Sequence, residues 1–138
     1  MLNYYFFEDV DFIQSVYEYV NSNMYVLLSG EEAMIIDPHK SQELTDLLVD
    51  KNVSKVTILL THEHHDHTSG VYWYQEHFKS TLICQKRCSE WMASKRYLRP
   101  MLLSFILSES DNLNGTNRLE DFEKNFVARQ YSADITYD

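Results

Sequence analysis

Glycine, proline, cysteine and positive charge are all scarce in this chain of 138 residues. With only 3 Gly and 2 Pro, collagen-like and low-complexity organisation drop out, because both need those residues in bulk. The two cysteines, Cys84 and Cys88, cannot build a disulfide framework. Neither has a further Cys or His pair nearby, so they read as buried or idle thiols rather than as a metal site. Lys and Arg number 12 against 21 Asp and Glu, a formal charge of −9. That sign opposes phosphate backbones and anionic membrane surfaces, so no nucleic acid partner is expected. No apolar run approaches the ~20 residues of a membrane span, and Met1-Leu2-Asn3-Tyr4-Tyr5 lacks the basic and apolar segments of a secretory leader. The expectation is a cytoplasmic protein with no membrane attachment. What is present is a 44% hydrophobic chain, long enough for one core and one domain over residues 1–138.

Periodicity and turn residues divide the chain. Gln14 to Val20 and Met24 to Leu28 read as strands around the polar turn Asn21-Ser22-Asn23. Ala33 to Ile36 is a short apolar strand stopped at Asp37-Pro38, since proline disfavours helix at the residue before it. The first third is therefore expected to be an antiparallel meander. Ser41 can cap a helix with Leu44, Leu47 and Leu48 on one face, and Val56 to Leu60 reads as a strand buried on both sides. A helix from Ser69-Gly70 to Phe78, a strand at Thr81 to Cys84 and a helix from Lys86 to about Lys95 complete an α/β alternation. Met101 to Leu107 reads as a helix or loop anchor, and Ser110 to Asn117 as a turn. The stretch from Ala133 to Asp138 resembles the start of a strand.

Four of the six histidines fall in the run His62-Glu63-His64-His65-Asp66-His67, directly after a buried strand and before a helix. Carboxyl ends of strands are where α/β proteins keep their sites. Imidazole nitrogen and carboxylate oxygen suit a borderline divalent cation, and short loop spacing lets several converge at ~2.0 to 2.2 Å. His62 and His64 can turn to one metal, with Asp66 and His67 turned to an adjacent one. Glu63 and His65 would then point elsewhere. The competing view is a solvated His-rich turn with adventitious affinity.

With its flanks the loop reads T-H-x-H-x-D-H-x-x-G, from Thr61 to Gly70, and resembles the metal-binding signature of the metallo-β-lactamase fold superfamily. Asn23 and Tyr25 resemble that family's Asn-x-Tyr region, and Asp37-Pro38 its Asp turn, which supports the metal loop from behind. His39 departs from the family in standing where glycine is usual. It reads as an exposed turn residue, or else as a supplementary ligand or substrate contact. The resemblance implies an α/β fold, the N-terminal half of a four-layer αββα sandwich, with a mixed sheet and flanking helices. It implies one or two Zn²⁺ on His62, His64, Asp66 and His67, and hydrolysis of a small-molecule ester, thioester or lactone by a metal-bound hydroxide. Asp66 would also orient the attacking water, while Thr61 and Gly70 shape the loop. His64 is unlike the di-iron branch, and His67 resembles the glyoxalase II and lactonase branches. The charge disfavours a nuclease.

A catalytic zinc takes three protein ligands beside water, and the resemblance supplies only two per metal here, with no His after His77. Asp111, Asp121, Asp134 and Asp138 read as solvated charges. His77 reads as a helix-surface residue, and Tyr72, Trp73 and Tyr74 as a packed aromatic helix. The expectation is a truncated domain that self-associates as a homo-oligomer through an uncovered apolar face. The alternative to a working hydrolase is an inactive half-domain serving as a metal-binding or oligomerising module.

Overall fold

The computed structural model describes residues 1–138 and holds a single seven-stranded sheet whose strands lie in chain order. Strands β1 (Leu2–Phe6), β2 (Asp11–Val16), β3 (Asn23–Ser29) and β4 (Glu32–Ile36) are antiparallel, and β5 (Lys55–Leu59), β6 (Lys79–Gln85) and β7 (Ile135–Tyr137) continue in parallel. The chain thus belongs to the α/β class, with a mixed sheet and flanking helices. Strand β1 is an addition to the expected meander. Strand β2 starts earlier than expected and stops at Val16, because Tyr17 to Val20 turn away from the sheet. There Tyr17 stacks on His39, and buried Tyr19 joins Leu103, Leu107 and Phe122 in a satellite cluster.

Register explains how the core is filled. Ile13, Val26, Ile35, Ile58 and Leu82 are neighbours across five strands, and all are buried. They share one core with Leu44 and Leu48 of α1 (Gln42–Asp50), Val71 and Tyr74 of α3 (Val71–His77), and Cys88 and Met92 of α4 (Lys86–Met92). The next row, Tyr25, Ile36, Leu59 and Ile83, points to the opposite face and is half-buried. Strand β5 is therefore not buried on both sides. Val56 and Ile58 are enclosed, whereas Thr57 and Leu59 are not.

Local signals place the helices. Ser41 Oγ accepts the Leu44 amide at 3.1 Å, the cap that starts α1, an interaction worth about 1 kcal/mol. The sequence suggested one long helix after Lys86; instead α4 ends at Met92, and a 3₁₀ turn, Lys95–Leu98, follows. Helix α5 (Met101–Asn114) runs through the expected turn region and stops where Gly115 takes φ +65°, the left-handed conformation that suits glycine. Three carboxylates read as solvated have partners. Asp111 accepts the amides of Arg118 and Leu119 at the start of α6 (Arg118–Asn125), Asp121 accepts the Tyr19 hydroxyl at 2.5 Å, and Asp134 accepts the Leu82 amide. Both cysteines are buried, and burial raises each thiol, Cys88 to about 12. No helix is long and apolar enough to cross a membrane.

Candidate metal centre

The parallel pair β4 and β5 ends in two loops that face each other. Asp37 follows β4 with φ +53°, a left-handed conformation that aspartate tolerates better than most side chains. Its amide donates to Leu59 O at 3.0 Å. Its carboxylate accepts the Thr61 amide at 2.8 Å and the Thr61 hydroxyl at 2.6 Å, which ties the start of the His loop to the end of β4. The short helix α2 (His65–Thr68) then turns the loop back, and Gly70 donates to Pro38 O at 2.9 Å. A Cβ at Gly70 would lie 2.7 Å from His39 Cα, so close approach of the two loops demands glycine there.

This frame brings the histidines together. The rings of His62 and His64 are 4.6 Å apart at their centroids, and those of His62 and His67 are 4.2 Å apart. Donor atoms of Asp37, His62 and His67 lie within 4.8 Å of one another, close enough for one cation. Asp66 stands behind His67, its Oδ2 3.2 Å from His67 Nε2. His65 faces the other way. Its Nε2 donates to Tyr97 O at 2.8 Å and its ring stacks on Tyr97, as the interleaved position suggested.

Proton positions follow from this network. The Thr61 hydroxyl has one hydrogen and gives it to Asp37, so toward His62 Nδ1, 2.8 Å away, it acts as acceptor. His62 must carry its proton on Nδ1, which leaves Nε2 with a free lone pair, the form a metal needs. Partial burial, then the neighbouring His67 and His64, lower the pKa of His62 and keep that ring neutral. Hydrogen bonds from its two nitrogens to Asp37 and Asp66 raise His67 to about 9. Burial opposes the charge on Asp66, yet its hydrogen bond with His67 prevails and holds the carboxyl below the usual range. His67, with its pKa raised in this way, lies between two carboxylates.

His39 corrects an expectation. It is not an exposed turn residue but only 5% exposed, with Nε2 3.0 Å from Ser15 Oγ and its ring against Tyr17. It is not among the donors that converge at the His loop, and burial lowers its pKa to about 4. Tyr97 is the participant that sequence reasoning missed. Buried, its hydroxyl bonds to Thr68 Oγ1 and donates to Glu63 O, so it braces both ends of the loop. It lies about thirty residues beyond the motif, with no local signal to mark it. Among the three aromatics of α3, Tyr74 is buried, and Tyr72 and Trp73 are half-buried. His77 is exposed.

A family model described as the metallo-beta-lactamase superfamily matches residues 18–121. The chain belongs to the metallo-beta-lactamase superfamily. Hydroxyacylglutathione hydrolase 1 of Vibrio vulnificus is 34% identical to it over 64 residues, which are 46% of this chain and 26% of that protein. The beta-lactamase-like protein 2 homolog of Drosophila melanogaster is 37% identical over 73 residues, 49% of this chain and 24% of that protein. The matched stretches thus span about a quarter of these curated relatives. The solved BLEG-1 B3 metallo-beta-lactamase superposes with a TM-score of 0.61 at 22% identity, covering 92% of this chain and 53% of that one. That likeness speaks for the metallo-beta-lactamase fold.

Proposed function

We propose that this protein acts as a metal-dependent hydrolase that cleaves a small ester, thioester or lactone, with zinc on His62, His64, Asp66 and His67. The observation that carries this is the convergence of the His62, His64 and His67 rings beside two carboxylates. Imidazole and carboxylate donors fit zinc better than soft or all-oxygen cations, and the Asp37–Thr61–His62 chain presents the correct nitrogen. When bound, such a cation supplies Lewis acidity, making water acidic enough to ionise near neutrality and drawing charge from the scissile bond. The residues supply orientation. Asp37 and Thr61 fix the His62 ring, Tyr97 holds the loop, and ionised Asp66 would orient the attacking water. The hydroxyacylglutathione hydrolases among the relatives make a glutathione thioester the first substrate to try.

The second reading is a metal-binding module that pairs with another copy, favoured by the half-buried sheet face carrying Phe12, Tyr25, Leu27, Met34, Ile36 and Leu59. A two-fold interface would cover that face with itself. Zinc titration against a chromophoric chelator, thioester turnover and light scattering test both. Tight zinc binding with turnover supports the hydrolase. Zinc binding by a dimer without turnover supports the module, and the absence of zinc binding overturns both.

A further inference from the structure

The 3₁₀ turn that carries Tyr97 also places two arginines beside the metal loop. Arg96 and Arg99 line a cleft of about 560 Å³ whose other walls include His64, Glu63, Trp91 and Leu102. The bonds of Tyr97 to Thr68, Glu63 and His65 fix the backbone between these arginines against the loop. Both side chains are exposed, and neither guanidinium forms an ion pair, a hydrogen bond or an aromatic stack within the protein; even Glu63, in the same cleft, is not paired with them. In a chain of net charge −9, two unpaired guanidinia three residues apart concentrate positive charge beside the metal loop. Planar, permanently charged forks of this kind recognise carboxylate and phosphate oxygens. Trp91 and Leu102 supply an apolar wall for the part of the ligand between the anion and the loop.

We propose that Arg96 and Arg99 form an anion subsite that selects substrates bearing a carboxylate or phosphate group, holding the scissile bond toward His64. The proposal rests on the hydrolase function put forward above, and it names the substrate class of that site. An anion anchored here would extend along the apolar wall to the metal loop, so charge on the substrate would lower KM and leave the chemistry at the loop unchanged. Neither arginine touches the reacting bond.

Two measurements separate this subsite from the hydrolase function itself. In the first, 4-phenylbutyrate and its neutral amide are titrated into the metal-free protein while the Arg side-chain and Trp91 indole N–H signals are followed by NMR. The carboxylate should shift Arg96, Arg99 and Trp91 and bind roughly tenfold or more tightly than the amide, the range of a charge-assisted hydrogen bond. Arg96→Gln with Arg99→Gln should abolish that difference, while His77→Gln leaves it intact. In the second, kcat/KM is compared for a pair of thioesters, one with a terminal carboxylate and one with the corresponding amide, in zinc-loaded protein. The double variant should lose about tenfold on the anionic thioester, through KM, and less than about twofold on the neutral one. Anion binding without turnover of either thioester would retain the subsite and overturn the hydrolase function. Turnover indifferent to charge and to both arginines, or equal binding of acid and amide, would overturn the subsite.

Discussion

The loop from Thr61 to Thr68 and the turn from Asp37 to Ser41 beneath it both carry histidine, lie a few ångströms apart, and treat it in opposite ways. In the loop, His67 lies between Asp37 and Asp66 and is raised to about 9. In the turn, His39 is enclosed by Ser15, Tyr17 and the Gly70 backbone, faces no carboxylate, and is lowered to about 4. One environment solvates charge with protein groups and the other expels it. A histidine's role here is set by whether a carboxylate or an apolar wall faces it, and neither can be inferred from the residue alone.

The largest expected effect separates His62 and His64 from a histidine outside the loop. His62→Ala and His64→Ala should each weaken zinc binding by more than about 100-fold, beyond the range for an outer supporting residue, while His77→Ala changes it little. Chelator competition reads all three, and equal losses would mean adventitious binding. The turn is tested next by acid. Because the folded pKa of His39 lies below its unfolded value of about 6.5, the unfolded chain binds the extra proton. Stability from this group is complete above pH 6.5 and is lost as pH falls toward 4. The gap corresponds to about 3 kcal/mol, measurable by denaturant unfolding across that window. His39→Gln should flatten this limb, and a His39 ring titrating near 6.5 by NMR would contradict it.

Asp37 belongs to both regions, and Asp37→Asn should reduce zinc affinity by about 10- to 100-fold. The amide cannot accept from the Thr61 amide, the Thr61 hydroxyl and His67 together, so the His62 tautomer is no longer fixed. An unchanged affinity would show that the support is dispensable. The smallest effect is expected at His65, whose ring serves the brace and not the centre. His65→Leu should cost about 1 kcal/mol of stability through the lost bond to Tyr97 O, with zinc affinity preserved. A loss of affinity as large as that of His62→Ala would place His65 among the ligands.

Much of the site was legible because its chemistry is local. The spacing of His62, His64, Asp66 and His67 after an apolar strand anticipated a loop at the carboxyl edge, and the structure shows the rings converging there. The cap at Ser41 and the parallel β4–α1–β5 unit were legible for the same reason, since backbone preferences over a few residues decide them. What failed depended on distant partners. Strand β2 was misplaced because Tyr17 and Tyr19 are drawn off by His39, Phe122 and Asp121. The amides that Asp111 and Asp134 accept were not foreseen either, because they belong to other elements.

The sequence by itself determined the motif and the α/β alternation, both of which follow from residue type and short spacing. Only the tertiary structure decided which donors face one another, which nitrogen of His62 is free, why His39 is buried, and that Tyr97 braces the loop with Arg96 and Arg99 at its side. The physical reason is that protonation and side-chain direction depend on the local field and on hydrogen-bond partners. In this chain those partners come from β4, from the His loop and from a 3₁₀ turn some thirty residues farther along.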